Sequence, residues 1–151
     1  MQNNHYPPGK PGYGTSHRGG VPPNTIKPNI ESLKKILLEN NLEEMNRYAS
    51  ELGEIFHKDL DKKNSALSTS QIRTILDELQ RMDNDQIQNL NLLRPKLAYA
   101  AGRHEGRVKE LQQVMEQAIK IVLQGNKSEY MIRFKYFFEA IVAYHRYFGG
   151  E

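Results

Sequence analysis

Apolar side chains return at three- and four-residue steps along most of this chain, and that period commits it to helices packed on one another. Leu42, Met45, Ala49, Leu52, Phe56 and Leu60 form one stripe, with Glu43, Glu44, Arg47, Glu51, Glu54 and Lys58 opposite. Ile72, Ile75, Leu76, Leu79 and Met82 form the next. If the chain runs as one helix from Leu93 to Val122, Leu97, Ala101, His104, Val108, Leu111 and Met115 share a third face. Phe134, Phe137, Phe138, Ile141, Tyr144 and Phe148 make the fourth, on what should be the most buried helix. Each stripe has to bury against another. The expectation is an all-α fold, a compact bundle of about five to six helices, and 151 residues with 38% hydrophobic content suffice for one such core.

Punctuation places the helix ends. Asn29 can cap a short helix through about Glu39 that carries Leu33, Ile36 and Leu37. Lys62 to Leu67 reads as a polar loop, and Ser68-Thr69-Ser70-Gln71 has the Ser-x-x-Gln form of a capping box. Pro95 is best placed at the opening of a helix, where its missing N–H costs nothing. Gly102 and Gly106 each cost about 1 kcal/mol inside that helix relative to alanine. Close approach of another backbone, a ligand phosphate, or a break between two shorter helices would each account for them. Gly125-Asn126 and Gly149-Gly150 are stops.

Charge is unevenly distributed. No Asp or Glu precedes Glu31, while Lys10, Arg18 and Lys27 supply three positive charges, so the formal +3 of the chain resides in its first thirty or so residues. Those residues are rich in Pro and Gly and poor in apolar groups. A disordered tail over residues 1–28, followed by a single helical domain over 29–151, is therefore expected. There is no cysteine, no apolar run of the roughly 20 residues that span a bilayer, and no apolar leader. The cytoplasm is the expected compartment, with no membrane partner.

Lys96, Arg103 and Arg107 fall at spacings of seven and four. On a continuous helix they lie within about 40° of one another and about 100° from the middle of the apolar stripe. A break at Gly106 would leave only Lys96 and Arg103 aligned. Arg73 sits beside a helix N-terminus, where its charge opposes the dipole; a bound anion or Asp77, four residues on, would relieve that conflict. The acidic face of the Leu42–Leu60 helix would point away from RNA or towards a basic neighbour.

Catalytic signatures are missing. His5, His17, His57, His104 and His145 lie in separate segments without ligand-type pairing, and there is no phosphate-binding glycine loop or nucleophile elbow. Glu139 and His145 fall on opposite sides of a helix. His104 beside Arg103 has no second acid or base in register for a ribonuclease. The chain is expected to be no enzyme and to take no metal or cofactor.

Three motifs occur in order: Ser68-Thr69-Ser70-Gln71-Ile72-Arg73, then Arg94-Pro95-Lys96-Leu97-Ala98-Tyr99-Ala100-Ala101-Gly102-Arg103, then the run from Lys135 to Phe148. Together they resemble the small helical subunit of the type III-A CRISPR effector, the Csm complex. The resemblance covers Thr69 to Gly150; Ile30 to Leu67 is similar only as generic helix. It implies a non-catalytic, all-helical subunit that stacks in several copies along the crRNA-bound backbone subunits. It further implies contact with crRNA and target single-stranded RNA, with the cutting left to the backbone and large subunits. The matching positions imply RNA contacts at Arg73, Lys96 and Arg103; Arg107 is added from the helical wheel. Contacts to phosphate without sequence preference suit a protein whose specificity comes from base pairing with a guide. The alternative is a helical protein-interaction module in which Lys96, Arg103 and Arg107 dock an acidic partner.

Overall fold

Side-chain caps set where the first three helices begin in the computed structural model, which describes residues 25–60, 66–104 and 106–151. Asn29 Oδ1 accepts the Ser32 N–H at 3.0 Å and opens α1 (Ile30–Leu37). Asn41 does the same for Glu44 N–H at 3.0 Å and opens α2 (Leu42–Phe56). At α3 (Thr69–Gln80) both halves of the expected capping box form: Ser68 Oγ accepts Gln71 N–H at 3.1 Å, and Gln71 Oε1 accepts Ser68 N–H at 2.9 Å. A single 3-10 turn at Ile87–Asn89 leads into α4 (Leu90–Arg103), followed by α5 (Arg107–Gly125) and α6 (Ser128–Tyr147). The described residues contain six α-helices and no strand, as the all-α expectation requires. None of these helices is long and apolar enough to cross a membrane.

The core is built around α2, α5 and α6. Phe134, Phe137, Phe138 and Ile141 of α6 are fully buried, and the Phe137 ring stacks on Tyr48 of α2 with centroids 5.7 Å apart. Gly53 lets the α2 and α6 backbones touch: a Cβ there would lie 2.6 Å from the His145 amide nitrogen and 2.7 Å from Tyr144 Cβ. From α6, Arg133 reaches back to donate to the carbonyls of Leu37 and Leu38 at 3.1 and 3.3 Å, satisfying the open end of α1.

Several boundaries and faces differ from the sequence reading. α6 is not the most buried helix: nine of the 19 residues of α5 are inside against six of its 20. Aromatics on every side of α6 cannot all face one core, and Tyr136 and Tyr147 stay in solvent. Leu42 is likewise exposed, and Tyr48 takes a place on the buried face of α2. Pro95 lies inside α4 instead of opening it. The carbonyl deprived of its donor is that of Asn91, an exposed residue, so water can satisfy it. The disordered-tail reading falls outside the described residues up to position 24. Beyond that, Ile26 already packs on the core, and the Asn29 N–H donates to the Tyr48 hydroxyl at 2.9 Å, so the ordered chain begins before position 29. Residues 62–65 of the expected polar loop also lie outside the described residues, and Leu67 at its end is buried.

The long helix envisaged from Leu93 to Val122 is two helices. Gly106 adopts φ 105°, ψ −144°, a backbone state open to glycine, and the chain turns there. Of the three explanations for Gly102 and Gly106, a helix break is the one that applies to Gly106; Gly102 has open space around it, and nothing in the structure explains it. Arg107, at the first position of α5, is consequently turned inwards. It is 4% exposed, donates to Glu110 Oε1 at 2.7 Å and through Nε to the Lys58 carbonyl at 3.2 Å. Glu110 Oε2 also accepts the Ile26 N–H at 2.7 Å. One buried pair thus ties the start of α5 to the chain ahead of α1 and to the chain leaving α2.

His145 forms a second buried polar point. Its Nε2–H donates to the Leu67 carbonyl at 2.6 Å, while Nδ1 is buried without a partner among the described residues. Burial pushes its pKa below the ordinary 6.5, helped by the positive fields of His57 and Arg146 and opposed by the Leu67 bond. A depressed histidine binds its proton more readily in the unfolded chain, so its contribution is complete above 6.5 and is lost as the pH falls through and below that value.

Four tests follow from this packing, all read by denaturant unfolding. Gly53→Ala should destabilise by about 1–3 kcal/mol because backbone cannot yield, while Gly102→Ala should stabilise by up to about 1 kcal/mol. Arg107→Ala, which strands a buried carboxylate, should cost about 3–5 kcal/mol, and Arg107→Met/Glu110→Leu distinctly less. Between about pH 7 and about pH 5 the loss of stability should be shallower in His145→Gln than in the parent.

Candidate nucleic-acid interface

α4 contains no acidic residue and three cations, Arg94, Lys96 and Arg103. Its apolar stripe of Leu90, Leu93, Leu97 and Ala101 is buried and fixes which side faces out. Arg94 is taken up by the fold: its guanidinium makes a forked pair with Glu116 of α5, with Nε at 3.1 Å from Oε2 and the second arm on Oε1. Lys96 and Arg103, seven residues apart, stay on the outer side in one line. Leu92 and Tyr99 complete that line at steps of four, three and four, and are 62% and 66% exposed. The outward stripe is therefore Leu92, Lys96, Tyr99 and Arg103, with cations alternating with apolar groups.

Across from it, α3 supplies the other wall of a shallow groove of about 310 Å³. Ser70, Thr74 and Glu78 line it from α3; Leu93, Lys96, Tyr99 and His104 line it from the α4 side. Lys96 Nζ donates to Glu78 Oε2 at 2.5 Å, and this bond holds the Glu78 carboxyl below the usual carboxylate range. Both partners are substantially exposed, so the pair contributes little to stability and either partner can exchange it. The Arg103 guanidinium donates to the Tyr99 hydroxyl at 3.4 Å, a long bond that leaves most of its donors available.

The four sequence-derived contact residues are thus separated. Lys96 and Arg103 share one stripe. Arg73 is exposed and has no hydrogen bond or ion pair through its side chain among the described residues; Asp77 does not take it up. On the wheel of α3 it falls about 100° from the line of Ser70, Thr74 and Glu78, on a different flank from the groove. Arg107 is inside the protein, held by Glu110 and Lys58, and the alignment that joined it to Lys96 and Arg103 ends with the break at Gly106. Leu92 and Tyr99 were not singled out from sequence, although their spacing on an acid-free helix was there to be seen.

The acidic outer face expected on α2 is present and partly neutralised internally. Arg47 bridges Glu44 and Glu51 at 2.5 and 2.9 Å, and the bonds from Arg47 and the Ser32 hydroxyl push Glu44 down to about 2. Counting α2 as Glu43, Glu44, Glu51 and Glu54 against Arg47 gives a formal −3, the opposite of the +3 of α4. No group of three or more His, Asp or Glu able to hold a metal occurs among the described residues. His57 stacks on Phe148, and His104 stands at the groove without a hydrogen-bonded acid or base among the described residues.

These features can be set beside known proteins. The family model described as Csm2 Type III-A matches residues 39–151, which takes in α2 to α6 and both walls of the groove and extends further towards the N-terminus than the resemblance read from the three motifs. No curated protein and no solved structure matches. With three quarters of its length matched, the chain belongs to the Csm2 type III-A family and is a subunit of a type III-A CRISPR Csm complex.

Proposed function

We propose that this chain is a structural, non-catalytic subunit that holds RNA by its phosphate backbone within the Csm complex. Lys96 and Arg103 make the principal contacts, and Arg73 makes a separate one from the flank of α3. The observation that carries this reading is the alignment of Lys96 and Arg103 on the exposed face of a helix that contains no acid. Phosphate exchanges with Glu78 on Lys96, and Arg103 already has most of its donors available. Contacts of this kind place a strand without reading its sequence, and base pairing between crRNA and target supplies the discrimination. Several copies stack along the backbone subunits, beside the large subunit, with the acidic α2 faces turned from the RNA. Arg107 has no part in the contact, since its burial against Glu110 keeps it from phosphate.

Docking of an acidic protein on the same stripe is the competing reading, and RNA competition separates the two. Binding of two fluorescent single-stranded RNAs of unrelated sequence would be measured over a range of salt for the full chain and its variants. Equal affinity for the two sequences is expected, falling with salt. Lys96→Ala/Arg103→Ala should flatten the logarithmic salt slope by about 1.4 and Arg73→Ala by about 0.7, one single-strand phosphate contact each. Glu78→Gln should tighten binding by freeing Lys96. Sequence-dependent affinity, or a salt slope indifferent to the double substitution, would sink the assignment.

A further inference from the structure

We propose that the α3–α4 groove is a seat for one unpaired nucleobase, stacked on the ring of Tyr99, with Lys96 and Arg103 on the phosphates to either side. The proposal rests on the reading that this stripe meets RNA, and adds to it a contact that phosphate binding alone does not need.

Tyr99 is the anomaly that points there. Its neighbours Ala98, Ala100 and Ala101 are what a helix prefers, yet a large ring stands 66% exposed among them. No other ring packs on it among the described residues. It lies three residues after Lys96 and four before Arg103, which puts a cation on either side of the ring along the helix. The Arg103 donation to its hydroxyl at 3.4 Å holds the two side chains together.

The groove beside the ring has the right character. Its volume of about 310 Å³ is at the low end of the roughly 300–1,000 Å³ of small-molecule sites, suited to a flat ring system. Ile75 and Leu93 give it an apolar floor, and the hydroxyls of Ser70 and Thr74 stand at its rim. Thr74 Oγ1 donates to the Ser70 carbonyl at 2.9 Å, so its proton is committed and it meets a base edge only as an acceptor. Stacking is tolerant of base identity, because every base has a π-face.

Single strands and duplexes should then be told apart. In a duplex the bases stack on one another and present phosphates and groove edges only, so Tyr99 has nothing to receive. In a single strand one base can leave its neighbours and lie on the ring.

The test compares a short fluorescent RNA strand, the same strand annealed to its complement, and an abasic strand of equal length. Each is titrated with the full chain and with Tyr99→Ala, Tyr99→Leu and Tyr99→Phe, with helical content checked by circular dichroism. Tyr99→Ala and Tyr99→Leu should weaken the single strand by about five- to hundredfold and leave duplex and abasic affinity unchanged, while Tyr99→Phe keeps the parent behaviour. Tyr99→Leu keeps apolar bulk without the ring, so it separates stacking from loss of packing. An unchanged single-strand affinity, or an equal loss on all three probes, overturns the seat and leaves the phosphate contacts standing. Failure of the parent chain to bind any of the three removes both.

Discussion

The buried pair of Arg107 and Glu110 is the contact on which the arrangement of the outer surface depends. It sits where Gly106 has already turned the chain, and it commits the first turn of α5 to the interior. α4 is thereby released from the axis of α5 and can lie along it as a separate helix. It buries Leu93, Leu97 and Ala101 and uses Arg94 to grip Glu116. The direction in which Lys96, Tyr99 and Arg103 point is a by-product of that choice. Had the helix run on, the same cations would have formed a longer line at the edge of a single rod, with no groove against α3.

Charge and packing are assigned to different helices. α2 carries its acids outward and satisfies part of them with Arg47 and Ser32, while its inner side closes on α6 through Gly53. α4 does the reverse, spending one cation on the fold and presenting two. A subunit with opposite signs on separate helices has an intrinsic orientation in the field of a polyanion, which a uniformly basic surface of the same net charge would lack.

Most of the fold was legible because it depends on local rules. The caps at Asn29 and Ser68, the stop at Gly125-Asn126 and the apolar stripes are all decided within a few residues of themselves. What could not be read was decided by distant partners. Pro95 is tolerated inside α4 because the carbonyl it orphans faces water. Leu42, at the first turn of α2, is exposed, and Tyr48 stacks on Phe137 of α6 instead. Arg107 looked like a surface cation because its spacing matched Lys96 and Arg103; its burial depends on Lys58, Glu110 and the turn at Gly106, which no wheel contains. Tyr99 lies outside the apolar stripe of its helix, and its spacing from Lys96 and Arg103 already put it in line with them.

The pair of Lys96 with Glu78 has a further effect on how a strand would behave once bound. On the proposed reading Lys96 would trade one anion for another, phosphate for the Glu78 carboxylate that lies 2.5 Å from its Nζ. Arrival and departure would then be exchanges between two anionic partners, which reduces the net gain from the phosphate contact. A row of such contacts would grip a strand weakly and evenly and let it settle into register by small steps. That would suit contacts made to phosphate without regard to sequence.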